Sequence, residues 1–141
     1  MERRASRGGF TVLEVLVASA IFAIVSLGLV AGLVLSYRIT LSNQLRDEAV
    51  SILREEVELI RERSYDEITP ALNNGANDCE DALNGKNFVE RQVGNVKRRF
   101  GIFLTVKEDS ALEIKKVRIE VCWRERGNFK SVSGETLIAK D

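Results

Sequence analysis

The sequence predicts an α+β chain: a long N-terminal helix, apolar in its first half, packed on a C-terminal antiparallel β-sheet of about four strands. Three observations predict it. An apolar run from Phe10 to Leu35 holds a single charge, Glu14. Residues 39–64 contain no Pro and no Gly and keep helical spacing of apolar side chains. Beyond residue 88 the chain reads as strands between turn signals, with apolar and polar side chains alternating over Phe100–Val106 and Val117–Trp123.

The apolar run comes first. Its roughly 26 residues at about 1.5 Å each make a helix about 39 Å long, enough to cross a hydrocarbon layer of about 30 Å. An ionisable residue inside such a span points to function, with a partner to be named. Before it stand Arg3, Arg4 and Arg7 against Glu2, a bias that places the N-terminus in the cytoplasm and the following domain outside. Ser36-Tyr37-Arg38 marks the far interface, an amphipathic ring beside a cation.

Composition narrows the function classes. The 141 residues carry zero formal net charge, which fits one small domain plus an anchor. With no basic block beyond the first seven residues, direct nucleic-acid binding is not expected. The chain has no His, which removes the commonest general base and metal ligand. Nucleophile–base pairs, phosphate loops and metal clusters are not found in it either. The expectation is a non-catalytic protein without metal or cofactor.

Three readings compete for the N-terminal segment. A secretory signal peptide has a core of about 7–15 residues and a small-residue cleavage site, and this run is too long and offers no such site. An uncleaved signal anchor fits the length and the flanking charges but leaves Glu14 and the Gly8-Gly9 pair unexplained. The stretch GGFTVLEVLVASAIFAIVSLGLV, Gly8 to Val30, accounts for all of these features together. It resembles the N-terminus of the type IV pilin family, including the pseudopilins of type II secretion.

The resemblance implies a set of roles. Residues 1–9 are a short basic leader, removed by prepilin peptidase between Gly9 and Phe10. The new α-amine, that of Phe10, is methylated. Glu14 becomes the fifth mature residue and governs assembly into a helical filament. The implied partners are other pilin or pseudopilin subunits, prepilin peptidase, the inner-membrane assembly platform and the lipid bilayer. The implied location is the bacterial inner membrane, single-pass, then a pilus or pseudopilus, and the implied fold is the pilin fold. The LEVLVA run and the charged second half of the helix resemble minor subunits, which prime or modify a filament. Minor pilin, minor pseudopilin of type II secretion and competence pilus subunit share this N-terminal pattern.

Physical chemistry is consistent with those roles. Cleavage creates an ammonium at Phe10, one helical turn from Glu14, near the helix N-terminus where the dipole favours a carboxylate. Between two helices offset along their axes, Glu14 of one meets the amine of the other. A buried charge pair is costly unless both partners are present, so an incoming subunit has a preferred register. The plainer alternative is that Glu14 snorkels to the headgroups. Gly28 and Gly32, spaced by four, allow close helix approach or local melting, and equally could be ordinary lipid-facing glycines.

Beyond the span, residues 36–68 read as an amphipathic continuation of the helix. Leu45, Ala49, Ile52, Val57 and Ile60 form its apolar face, with Leu53 and Leu59 beside them. Thr69-Pro70 ends it. Residues 69–87 are loop chemistry, long for a connection in a compact domain. Cys79 in that loop and Cys122 both fall in the part expected outside, and in an oxidising compartment they read as one disulfide. Asn77, Asp78, Glu80 and Asp81 around Cys79 offer hard oxygens that could suit calcium, although the spacing is not that of an EF-hand, and a solvated acidic loop is the competing reading.

Residues 88–141 form the sheet. Gly94-Asn95 and Gly127-Asn128 supply turns. Phe100, Ile102, Leu104 and Val106, with Val117, Ile119, Val121 and Trp123, should face the helix, so Cys122 and Phe103 should face away. The Cys79 loop must then reach the outer face or edge of the sheet. A reading of a different class remains: an uncleaved single-span membrane protein whose outer domain binds a ligand or senses a signal.

Overall fold

The computed structural model describes residues 11–140, which divide into two units between Ile39 and Thr40. Helix α1 (Val12–Arg61) contributes to both. Four strands follow: β1 (Phe88–Val93), β2 (Val96–Asp109), β3 (Ile114–Glu125) and β4 (Asn128–Ala139). They pair in sequence order as one antiparallel sheet. The α+β architecture expected from the sequence, a long helix packed on a four-stranded antiparallel sheet, is the one observed.

In the first unit the helix packs on no other segment among the described residues. Its large apolar side chains from Val12 to Leu35 are 45–78% exposed. This is the one helix, among the described residues, long and apolar enough to cross a membrane.

The second unit has its own core. Leu45, Ala49, Ile52 and Ile60 of α1 are buried, with Leu41, Leu53 and Val57 partly so, while Leu59 stays half exposed. They meet Phe100, Ile102 and Leu104 of β2 and Val117, Ile119, Val121 and Trp123 of β3. Register brings these faces level: Ile102 pairs with Val121, Leu104 with Ile119, and Val106 with Val117. Each fully buried apolar side chain contributes about 1.5–3 kcal/mol relative to exposure. Gly134 of β4 faces Leu53 of α1, and a Cβ there would stand 3.4 Å from that side chain, an ordinary van der Waals contact.

The helix expected to reach about Ile68 ends at Arg61. Its last turn tightens, with the Arg63 N–H donating to the Ile60 carbonyl. The chain then passes through an extended Ser64 into a 3-10 turn, Tyr65–Glu67. The reason lies in packing: the turn carries Ile68 into the core, fully buried. It also aims the Tyr65 and Ile68 carbonyls at the Lys115 ammonium, at 2.8 and 3.1 Å.

The connection up to β1 holds further short turns, Pro70–Asn73, Cys79–Asp81 and Ala82–Lys86. The hairpin turns differ in detail. Gly94 takes a φ of 61° between β1 and β2. Between β3 and β4 the turn residues are Arg126 and Gly127, both left-handed, rather than Gly127 and Asn128. Asn128 instead opens β4, paired with Glu125.

Candidate functional site

The N-terminal candidates come first. Gly9 and Phe10 lie outside the described residues, so the junction itself is known only as sequence. The first described residue, Thr11, starts the helix. Its carbonyl accepts from the N–H groups of Glu14 and Val15 at 3.0 and 3.2 Å. Its hydroxyl accepts from the Glu14 N–H at 3.2 Å. Thr11 is thus the cap of α1, and Glu14 sits in its first turn, where the helix dipole favours a carboxylate. Thr-x-x-Glu is half of a capping box, a signal legible in the sequence that the reading of Glu14 alone passed over.

Along the same unit, Ser19 returns its hydroxyl to the Val15 carbonyl, so this polar group in an apolar helix is satisfied locally. Gly28 and Gly32 lie within unbroken helix, and a Cβ at either would meet nothing within 4 Å.

The second candidate is the cysteine pair. Cys79 and Cys122 form a disulfide across 43 residues, with Cα atoms 6.0 Å apart. Cys122 is fully buried, although it faces away from α1. The cover is the segment that follows Cys79, which lies on the outer face of β2 and β3. Gly101, paired with Cys122, is the seat. A Cβ there would stand 2.9 Å from the Ala82 Cβ and 3.2 Å from the Cys122 sulfur, so only glycine fits without movement. Phe103 is half-buried on that face.

Two asparagines stitch the same connection to β2. β1 pairs with β2 only as far as Gly101, which leaves the next backbone groups of β2 to find other partners. The Ile102 N–H donates to the Asn87 carbonyl, and Asn87 Nδ2 donates to the Ile102 carbonyl, each at 2.9 Å. The Leu104 N–H donates to Asn73 Oδ1 at 2.6 Å, and Asn73 Nδ2 donates to the Leu104 carbonyl at 2.8 Å. The side-chain amide of Asn73 thus stands in for a strand.

Two of the acidic residues around Cys79, Asp78 and Asp81, serve local structure. Asp78 Oδ1 accepts from the Asp81 N–H at 2.9 Å and caps the short helical turn. Asp81 Oδ2 accepts from Asn77 through its backbone and side-chain nitrogens, at 3.3 and 3.4 Å. No cluster of acidic or sulfur side chains suited to a metal ion is found among the described residues.

Elsewhere on the head, charges tie α1 to the sheet. Arg91 bridges Glu48 at 3.6 Å and also meets Glu55. At the β3–β4 hairpin, Lys130 lies 2.9 Å from Glu125, and the Ser42 hydroxyl donates to the same carboxylate at 3.3 Å. The Lys130 hydrogen bond is the main cause holding the Glu125 carboxyl below its usual range. Burial pushes the Glu56 carboxyl up, and neighbouring Glu55 adds to it. Lys115 was not foreseen either. Its ammonium, besides closing the 65–68 turn, lies 4.2 Å over the Tyr65 ring.

No curated protein and no solved structure matches this chain. The span and the cap agree with the finding that remains: residues 4–30 match the family model described as the prokaryotic N-terminal methylation motif, a likeness confined to that stretch and consistent with a pilin-like chain anchored by its apolar helix.

Proposed function

We propose that this chain is a non-catalytic subunit of a type IV pilus or related pseudopilus, and that it acts as a minor subunit. The observation that carries the reading is a coincidence. The stretch matching the methylation motif runs into an apolar helix that has nothing to pack on in a single chain, ahead of a head that has a complete core. Such a helix needs a bilayer before assembly and neighbouring helices after it.

In this reading prepilin peptidase cuts between Gly9 and Phe10, and the Phe10 amine is methylated. The chain waits in the inner membrane with its head outside, then enters the filament through the assembly platform. Glu14 meets the Phe10 amine of a neighbour and sets the register, because either charge alone in an apolar surround is costly. The head contributes its surface and no chemistry.

Mass spectrometry of the mature N-terminus tests the cut. A chain beginning at methylated Phe10 is expected; one that retains residues 1–9 refutes the reading. Glu14→Gln should leave membrane insertion intact and abolish incorporation into sheared filaments. Abundance in those filaments separates the roles: a minor subunit is scarce, a major one dominates.

A further inference from the structure

Both two-residue hairpin turns, at Gly94-Asn95 and Arg126-Gly127, lie at one end of the sheet. The Ser42 hydroxyl marks that end by its hydrogen bond to Glu125. Ser42 stands seven residues past Leu35, the last of the apolar run, so this is the end of the head nearest to the span along the chain.

It is also basic. Lys97, Arg98, Arg124 and Arg126 are exposed there, and none of them has an ion pair among the described residues. Arg124 lies 4.8 Å over the Phe129 ring, which holds its guanidinium at the surface. Arg99 and Lys130, by contrast, are neutralised by Glu90 and Glu125, each at 2.9 Å. Asp47 and Glu80 border the group, as do Glu48 and Glu90, which are paired with Arg91 and Arg99. Two apolar side chains stand out among these cations, Val96 at 53% and Phe129 at 42% exposure. The opposite end of the sheet is mixed in charge, with Glu108, Asp109 and Glu113 around its turn beside Lys107, Lys116 and Lys140.

Exposed cations interleaved with apolar tips suit one environment, the headgroup layer of a bilayer, where the charge meets phosphate and the apolar tip enters the interface. We propose that this end of the head is a lipid-binding rim that takes the phosphates of anionic phospholipids while the subunit waits in the membrane. The proposal rests on the membrane-anchored reading above. The rim adds a second, salt-sensitive hold on the bilayer to the apolar one and fixes which side of the head faces the lipid.

The test uses the full chain in nanodiscs of phosphatidylcholine, with or without anionic phosphatidylglycerol, and compares trypsin cleavage at Arg126 with cleavage at Arg63 near the far end of the head. Cleavage at Arg126 should slow about tenfold in anionic discs and that at Arg63 should not change. About 0.5 M salt should erase the difference, since it shortens the screening length to a few ångströms. Lys97→Gln with Arg98→Gln should remove most of the protection. Equal rates at Arg126 in both discs, or equal slowing at both sites, overturns the rim and leaves the anchor standing. A chain that fails to co-elute with either disc overturns the anchor and the rim with it.

Discussion

Replacing both cysteines by alanine, Cys79→Ala with Cys122→Ala, isolates what the disulfide contributes to the head. The bridge closes 43 residues, for which the chain-entropy expression gives about 4 kcal/mol at 25 °C. That is an upper value here. Asn73 and Asn87 already dock the connection on Leu104 and Ile102, and these bonds survive the substitution. The expected loss is therefore about 2–4 kcal/mol. Urea unfolding in detergent micelles measures it, followed by fluorescence of Trp123, the only tryptophan. Trp123 is buried on the inner face, its ring centroid 6.3 Å from that of Phe100, so it reports on the core and not on the cover. Reducing the native protein should reproduce the variant to within about 0.5 kcal/mol, because distant, independent contacts are left unchanged. A loss below about 1 kcal/mol refutes the reasoning and assigns the cover's hold to Ala82, Leu83 and the asparagines alone.

Two further outcomes follow from charges on the head. Lys115→Met leaves the Tyr65 and Ile68 carbonyls without their ammonium, and an unsatisfied buried acceptor costs about 1–3 kcal/mol, so a loss of about 2–4 kcal/mol in urea unfolding is expected. A change under about 0.5 kcal/mol removes Lys115 from the account of why α1 stops at Arg61. Glu125 predicts a pH dependence. A carboxyl with a folded pKa below its ordinary 4.5 stabilises the fold fully above that value and loses its contribution as pH falls through the lower folded value. The urea midpoint should therefore fall on acidification through that window, and by less in Lys130→Gln; an identical fall in both proteins refutes the role of that pair.

The sequence showed the architecture through its periods. The 3.6-residue spacing of Leu45, Ala49, Ile52 and Ile60 and the two-residue spacing of β2 and β3 each marked the buried face. Two cysteines in a chain expected outside the cytoplasm were enough to indicate a bond. Features that depend on contacts between distant segments were harder to read. The turn that follows the end of α1 at Arg61 is held by Lys115, fifty residues beyond Tyr65, which shares the parity of Val117 and Ile119 and so falls on the inner face. A lysine at a core position was a readable signal. The asparagines of residues 69–87 looked like generic loop composition, and only the short reach of β1 shows that β2 needs them. The Lys97-Arg98-Arg99 triplet was readable in the sequence, but that Arg124 and Arg126 join it at one end of the head follows only once the hairpins pair.

Gly101 and Cys122 interrupt the simple rule by which a one-sided sheet tolerates change. Along β2 and β3 every second residue faces α1, and a saturation scan should find that series restrictive and its neighbours permissive. At 101 and 122 the pattern should invert, with two outward positions as unforgiving as the core. A mutational map of this head should therefore show an island of intolerance on its outward face, in the outline of the segment that follows Cys79.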